Sequence, residues 1–513
     1  MQKNTGYTEL FILSAFIFLI IIYSPPLSAD QQKFNISQLG IADKMLDIHI
    51  RDFDKDGLKD IMITHTKGLS PDQTRWISIF HQTGGGTFFS AADQSWEIDS
   101  SAVIMDTGDI IGDDREEIVY ITDRSIRYYQ IKDRFYYGTE PSELLPVKGM
   151  TLFPEKGNIP IIDFVRDWNG EEGNEIAVFR FEGLSLYASD SAGVYRKYND
   201  IPVEIESSVS GNISRDYPFR TEGLSSHFYF PDLNLIDYNN DGRRDLLITR
   251  DDRLYIYLKD SDNMFMNELE VYRNFDVRSK KEKIEGMANV YTTIQNLDSD
   301  GYSDVIVTKQ TAKGITELRG VLNIYNGGKN GYSTKPDQVI ISEGTASAGT
   351  TIRDVNGDGR MDLILPSVKI SVTALIRFLL TRSFPIKFNI FLYHEDGRFS
   401  ENPDFSKEVK FKIDFSGESD TQAINLSGDF NNDLQKDFVF ATDEDELSIY
   451  LGIKDDDKIF SDDKAAEVDI TAFGEIEVDD LDGDGYSDML LYYPQNRDME
   501  GKVNVLMNLR RIK

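Results

Sequence analysis

An acidic stretch of nine residues with oxygen-bearing side chains at alternate positions recurs eight times in this chain. Its fullest copy is Asp52-Phe53-Asp54-Lys55-Asp56-Gly57-Leu58-Lys59-Asp60. In so tight a turn the side chains at positions 1, 3 and 5 converge on one point. A glycine at position 6 permits the left-handed backbone that the turn needs. The carbonyl of position 7 and the carboxylate of position 9 then complete an all-oxygen cage. Hard oxygen ligands in a crowded, flexible loop suit Ca²⁺ better than Mg²⁺ or a transition metal.

Five copies have the whole pattern. They comprise Asp52, Asp54, Asp56, Leu58 and Asp60; Asp237, Asn239, Asp241, Arg243 and Asp245; Asn296, Asp298, Asp300, Tyr302 and Asp304; Asp354, Asn356, Asp358, Arg360 and Asp362; and Asp480, Asp482, Asp484, Tyr486 and Asp488. A sixth, with Asp429, Asn431, Asp433, Gln435 and Asp437, has Leu434 where glycine belongs, so its turn is expected to be strained. Two copies are eroded. In Asp109–Glu117, Ile111 replaces the third ligand and Asp114 the glycine, which predicts an empty or weak site. The other keeps Asp167, Asn169, Glu171, Gly173 and Glu175 but has Glu172 at position 6, and its occupancy is left open. A single acidic turn is often only a solvated loop; six in register argue for about six Ca²⁺ ions.

The copies start at residues 52, 109, 167, 237, 296, 354, 429 and 480, at intervals of 57, 58, 70, 59, 58, 75 and 51. A period near 58 marks one structural unit repeated in an array. Each loop follows a short strand and precedes a strongly apolar one, such as Asp304-Val305-Ile306-Val307. Such runs fit strands buried on both faces. A third strand alternates with aromatics, as in Leu254-Tyr255-Ile256-Tyr257, and a more polar fourth closes the unit. Four-stranded antiparallel units at this period predict an all-β, eight-bladed β-propeller over residues 30–513, with seven blades plus an irregular unit as the alternative. The last copy lacks a fourth strand, and residues near Phe34–Ser37 are placed to supply it and close the ring.

Loops such as Asp354-Val355-Asn356-Gly357-Asp358-Gly359-Arg360-Met361-Asp362 and Asp480-Leu481-Asp482-Gly483-Asp484-Gly485-Tyr486-Ser487-Asp488 resemble the FG-GAP/VCBS repeat family, the integrin-α-like propellers of many exported bacterial proteins. The resemblance covers roughly residues 43–509. It implies calcium held in the hairpins between first and second strands, with a bracing role. The Phe-Gly and Gly-Ala-Pro signatures that name the family are not evident here.

Composition narrows the function. A net charge of −33 opposes general nucleic-acid binding. Six divalent ions would bring it to −21. The chain has no cysteine, which excludes disulfides, thiolate metal sites and cysteine nucleophiles. Residues 1–29, with an apolar run from Leu10 to Tyr23, read as a signal peptide cleaved after Ala29 or as an uncleaved N-terminal anchor. The protein is therefore expected to be exported: secreted, periplasmic or at the cell surface.

The two long intervals place insertions at about 206–232 and 366–385, both on the face opposite the metal loops. That face is the expected site for a protein or carbohydrate ligand. The first insertion is aromatic, with Tyr217, Phe219, Phe228, Tyr229 and Phe230. The second has basic but no acidic residues, and an amphipathic helical spacing over 368–384. It suits a short capping helix ended by Pro385, or contact with a membrane surface or partner.

No catalytic constellation is legible. The five histidines, His49, His65, His81, His227 and His394, are expected in ordinary surface or strand roles. The chain reads as a non-catalytic binding or adhesion module. The alternative is a carbohydrate-active enzyme, such as a polysaccharide lyase on a calcium-bound propeller.

Overall fold

A computed structural model describes residues 33–512 apart from short stretches, the longest being 148–153, 214–220, 344–349, 369–375, 377–382 and 413–423. It contains eight four-stranded antiparallel sheets, seven of them built in chain order from first strand to fourth and the eighth completed by a strand from near the N-terminus. Their first strands are Lys44–Arg51, Ile104–Gly108, Val165–Arg166, Asp232–Ile236, Ala288–Gln295, Thr351–Arg353, Ile424–Asn425 and Glu475–Asp479. First strands of adjacent blades lie side by side, as Ile104–Gly108 does with Val165–Arg166, and so form the inner edge of an eight-bladed propeller. Every blade is complete, so the alternative of seven blades and an irregular unit does not apply.

Ring closure follows the expected route. The strand Phe34–Gly40 pairs antiparallel with Lys502–Asn508, from Phe34 opposite Asn508 to Gly40 opposite Lys502. It serves as the outermost strand of blade eight and joins the two ends of the chain.

The second strands carry the core because a neighbouring blade covers each of their faces. Glu117–Ile121 and Asp488–Tyr492 are buried at every residue. Between blades eight and one, Leu490, Val503 and Val505 meet Ile61, Ile63 and Phe80. Each such side chain contributes about 1.5–3 kcal/mol on burial. The core is therefore a set of inter-blade layers.

The insertion at 206–232 is more ordered than a long connection. It forms an antiparallel hairpin of Glu206–Ile213 and Thr221–Tyr229. Phe230 and Phe228 lie against Phe179 and Phe181, at the turn between the second and third strands of blade three, with ring centroids 4.6 and 5.9 Å apart. This places the hairpin on the face expected from topology.

The amphipathic stretch 368–384 falls almost wholly outside the described residues. Pro385, however, does not end a helix. It lies inside the third strand of blade six, Ser383–Phe391, opposite Lys410. The second strand pairs only as far as Lys387, so the missing proline N–H falls where that flank is free.

The segment 1–29 also lies outside the described residues. Among the described residues, no helix is long and apolar enough to cross a membrane. Lys280–Glu285 is a short helix with a capping box, in which the Ser279 amide donates to Glu282 and the Glu282 amide to the Ser279 hydroxyl.

Candidate metal centres

Six of the eight loops share one backbone design. The position-1 carboxylate folds the turn around itself. Asp237 Oδ1 accepts the Asp241 amide at 3.0 Å and its Oδ2 accepts that of Gly242 at 2.8 Å. Asp52, Asp354, Asp429 and Asp480 do the same for their own positions 5 and 6. Even the eroded loop at Asp109 keeps these bonds.

The left-handed backbone is used twice per loop. At position 6, Gly57, Gly242, Gly301, Gly359 and Gly485 have φ between 84° and 91°, and Leu434 is forced to 71°. Position 4 is also left-handed throughout: Lys55, Gly112, Gly170, Asn240, Ser299, Gly357, Asn432 and Gly483 have φ of 57° to 84°. Sequence reasoning missed this second requirement, although glycine or asparagine at six of the eight positions signals it.

Position 9 does more than complete a cage. Asp245, Asp304, Asp362, Asp437 and Asp488 are buried, and each bridges two elements. One oxygen accepts the position-2 amide, from Tyr238, Leu297, Val355, Phe430 and Leu481 respectively. The other accepts an amide at or just past the end of the third strand, from Lys259, Gly327, Tyr393, Gly452 and Asn508. The loop is thereby riveted to the far side of its own blade. Burial raises these acids, opposed by the two amides and reinforced by the like charges of the loop. Asp304 reaches about 6, and Asp362, Asp437 and Asp488 about 7.

Neighbouring loops are stitched together. The Lys59 amide donates to the Leu481 carbonyl, Glu116 to Phe53, and Met361 to Leu297, each crossing from one blade to the next. Ordering one loop therefore constrains the next.

The fit to a divalent cation was judged from the oxygens the fold leaves over. Carboxylate oxygens of Asp52, Asp54 and Asp56 lie within 4.8 Å of one another, as do those of Asp480, Asp482 and Asp488. Asn296 Oδ1, Asn431 Oδ1 and Asp482 Oδ1, all at ligand positions, are buried without a hydrogen-bond partner among the described residues. Buried, unpaired acceptors call for a cation. The position-7 side chains of Arg243 and Arg360 turn back onto Asp241 and Asp358, so the backbone carbonyl would be the ligand there.

The eroded loops use protein groups instead. Arg244 pairs with Asp167, Asn169 donates to Glu175 at 2.9 Å, and Asn263 donates to Glu171 at 3.2 Å. In the loop at Asp109, Arg115 pairs with Asp113, and Ile111 points outward, 37% exposed. Glu172 lies outside the described residues.

The histidines fill different roles. His65 bonds the Ser78 hydroxyl inside blade one, and His394 bonds Ser400 on an exposed hairpin. His81 is buried against the first metal loop, which the sequence did not suggest. A cavity of about 1020 Å³ runs along the outer wall between blades five and six, where Ile341, Lys387, Phe391 and Arg398 line it.

Comparison with known proteins agrees with this design. An FG-GAP-like repeat model matches residues 296–365, from the fifth metal loop to the strand after the sixth. Integrin alpha-5 of Xenopus laevis is 26% identical over 188 residues, 31% of this chain and 16% of that protein. Integrin alpha-8 of Homo sapiens is 23% identical over 256 residues, 43% of this chain and 23% of that protein. The chain thus spans under a quarter of the length of either relative. The crystal structure of Sqt1 from Chaetomium thermophilum superposes with a TM-score of 0.42 at 9% identity, covering 94% of this chain and all of that one. By the repeat match, the integrin similarity and the ring of eight blades, the chain is similar to FG-GAP, integrin-α-like β-propellers.

Proposed function

We propose that this propeller is an exported, calcium-braced binding or adhesion module for a protein or carbohydrate ligand, without catalysis. The observation that carries the metal part is the set of orphaned buried oxygens at ligand positions, Asn296 Oδ1, Asn431 Oδ1 and Asp482 Oδ1. Calcium would be held by the side chains at positions 1, 3, 5 and 9 and the carbonyl at 7 in the six fuller loops. Because position 9 is bonded to the end of the third strand, an ion there would tie loop, hairpin and blade together.

The binding part rests on the integrin-α-like architecture and on the hairpin at 206–229. Phe181 and Tyr229 are 58% and 55% exposed beside it, on the face opposite the metal loops. Exposed aromatics on a rigid disc suit stacking on a sugar or a peptide. Residues 1–29 would direct export and be cleaved, or remain as an anchor.

Metal analysis of folded protein after dialysis against calcium tests the first part, with about six equivalents expected. Passing the protein over protein and polysaccharide panels tests the second. Retention without turnover supports a module, and turnover of a polysaccharide would replace it with an enzyme.

A further inference from the structure

One of the eight loops departs from the common bracket at position 9. In the other seven, the position-2 amide caps one oxygen of that acid, including Ile110 onto Glu117 and Trp168 onto Glu175 in the eroded pair. In blade one, Asp60 Oδ1 takes the Gln82 amide at 3.0 Å. Its Oδ2 has no hydrogen-bond partner among the described residues. It faces His81 Nδ1 at 3.2 Å. Asp60 is 2% and His81 3% exposed.

Neither ring nitrogen of His81 has a hydrogen-bond partner among the described residues. The ring packs against Phe135, with centroids 4.1 Å apart, which fixes its plane. Each buried, unpaired polar group costs about 1–3 kcal/mol. The imidazole is also out of pattern. The corresponding residue, just before the one whose amide bonds position 9, is Leu258, Leu392 and Leu451 in blades four, six and seven. It is Asn326 in blade five and Met507 in blade eight. Packing alone would accept leucine here.

We propose that the loop of blade one is a mixed imidazole–carboxylate site for a first-row transition dication of the Mn²⁺, Co²⁺ or Zn²⁺ class, with His81 Nδ1 and Asp60 Oδ2 as ligands. Two atoms 3.2 Å apart, each about 2.1 Å from one ion, subtend about 100° at it, close to tetrahedral or octahedral angles. Asp52, Asp54 and Asp56 form a separate carboxylate trio in the same loop, so water would complete the coordination of an ion held by His81 and Asp60. Nitrogen ligation favours such ions over calcium, which prefers oxygen and a larger cage. The inference deepens the divalent-cation reading of the loops: one position of the belt would differ from the rest in the ion it selects.

The test uses the full chain, stripped with chelator and then held in excess calcium while CoCl₂ is titrated. One equivalent of cobalt should bind despite the calcium, with the visible spectrum of a nitrogen-ligated ion. His81→Leu, the residue of the three equivalent blades, should weaken that binding at least tenfold. Its calcium-loaded melting should not fall below that of the wild type. Should His81→Leu not fold, the wild-type imidazole signals in the NMR spectrum, shifted by bound cobalt, report the same contact. Calcium binding with no cobalt retained, or cobalt retained equally by His81→Leu, overturns this inference alone. A folded protein that binds no dication in any loop overturns it together with the reading it rests on.

Discussion

Asp362 Oδ1 accepts the amide of Tyr393 at 2.9 Å, joining the sixth metal loop to the end of a strand 31 residues away. Its other oxygen holds the Val355 amide at the same distance, so one buried carboxylate ties the loop of the first hairpin to the end of the third strand. Asp362→Ala would strand both amides in the interior. The expected loss is about 2–4 kcal/mol, read from the urea midpoint in excess calcium. Asp362→Asn, which keeps one acceptor, should fall between. A wild-type midpoint for the alanine variant would show that the bracket is dispensable.

Much of this was legible beforehand, because position 9 is acidic in every copy and the apolar strand begins directly after it. The period gave the blade, and the missing fourth strand near Met507 gave the closure by Phe34. The remainder was hidden for physical reasons. Lys55 and Ser299 occupy left-handed positions that their residue types do not advertise, which masked the requirement at position 4. The hairpin at 206–229 has polar alternation typical of a loop, and its partner Phe181 lies in a turn distant in sequence. The second role of position 9 depends on amides, which no side-chain pattern reveals.

Leu434 has φ of 71° and is 77% exposed, so its side chain contributes little packing while its backbone is strained. Left-handed backbone costs an ordinary residue about 1–2 kcal/mol, and glycine returns part of that as unfolded-state entropy. Leu434→Gly should therefore stabilise the protein by about 0.5–1 kcal/mol in a denaturant titration. The same change should bring the calcium affinity of the loop at Asp429 closer to that of the others. A lower midpoint would mean that the leucine makes contacts beyond its own loop.

Calcium removal should destabilise the whole ring, because the loops are bonded from blade to blade. An ion at one hundred times its dissociation constant adds about 2.7 kcal/mol per site. Melting in excess Ca²⁺ should exceed melting in chelator by a wide margin, and the loss should be cooperative rather than confined to one blade. An unchanged midpoint in protein verified as free of metal would remove the bracing role.

His65 is buried against Ser78, and burial pushes its imidazole down to about 4, with Asp43 opposing and Lys67 assisting. The folded state therefore keeps it neutral where the unfolded chain, near 6.5, would take a proton. Its contribution is complete above the unfolded value and falls as pH drops from about 6.5 to about 4, by about 3 kcal/mol in all. Below that window no further loss arises from this group. The stability difference between wild type and His65→Gln, measured in excess calcium, should be flat above pH 7 and shrink on acidification. A difference independent of pH would show that His65 takes up its proton equally readily in the folded and unfolded chain.

Phe34 sits at the seam where the two ends of the chain meet. It is 2% exposed, and its ring meets Phe430 edge-on at 6.0 Å, so it anchors the closing strand to blade seven as well as to blade eight. The pairing spans almost the entire sequence, and its loop-closure entropy must be met by contacts of this kind. Phe34→Ala should cost about 3–4 kcal/mol. It should also speed hydrogen exchange along Lys502–Asn508, the strand that would become an edge. Ile36→Ala, on the same strand but 45% exposed, should cost under about 1 kcal/mol and leave exchange unchanged. Equal effects from the two variants would mean that the strand is held by its backbone ladder alone. A selective effect of Phe34 locates the latch of the ring in one buried aromatic contact.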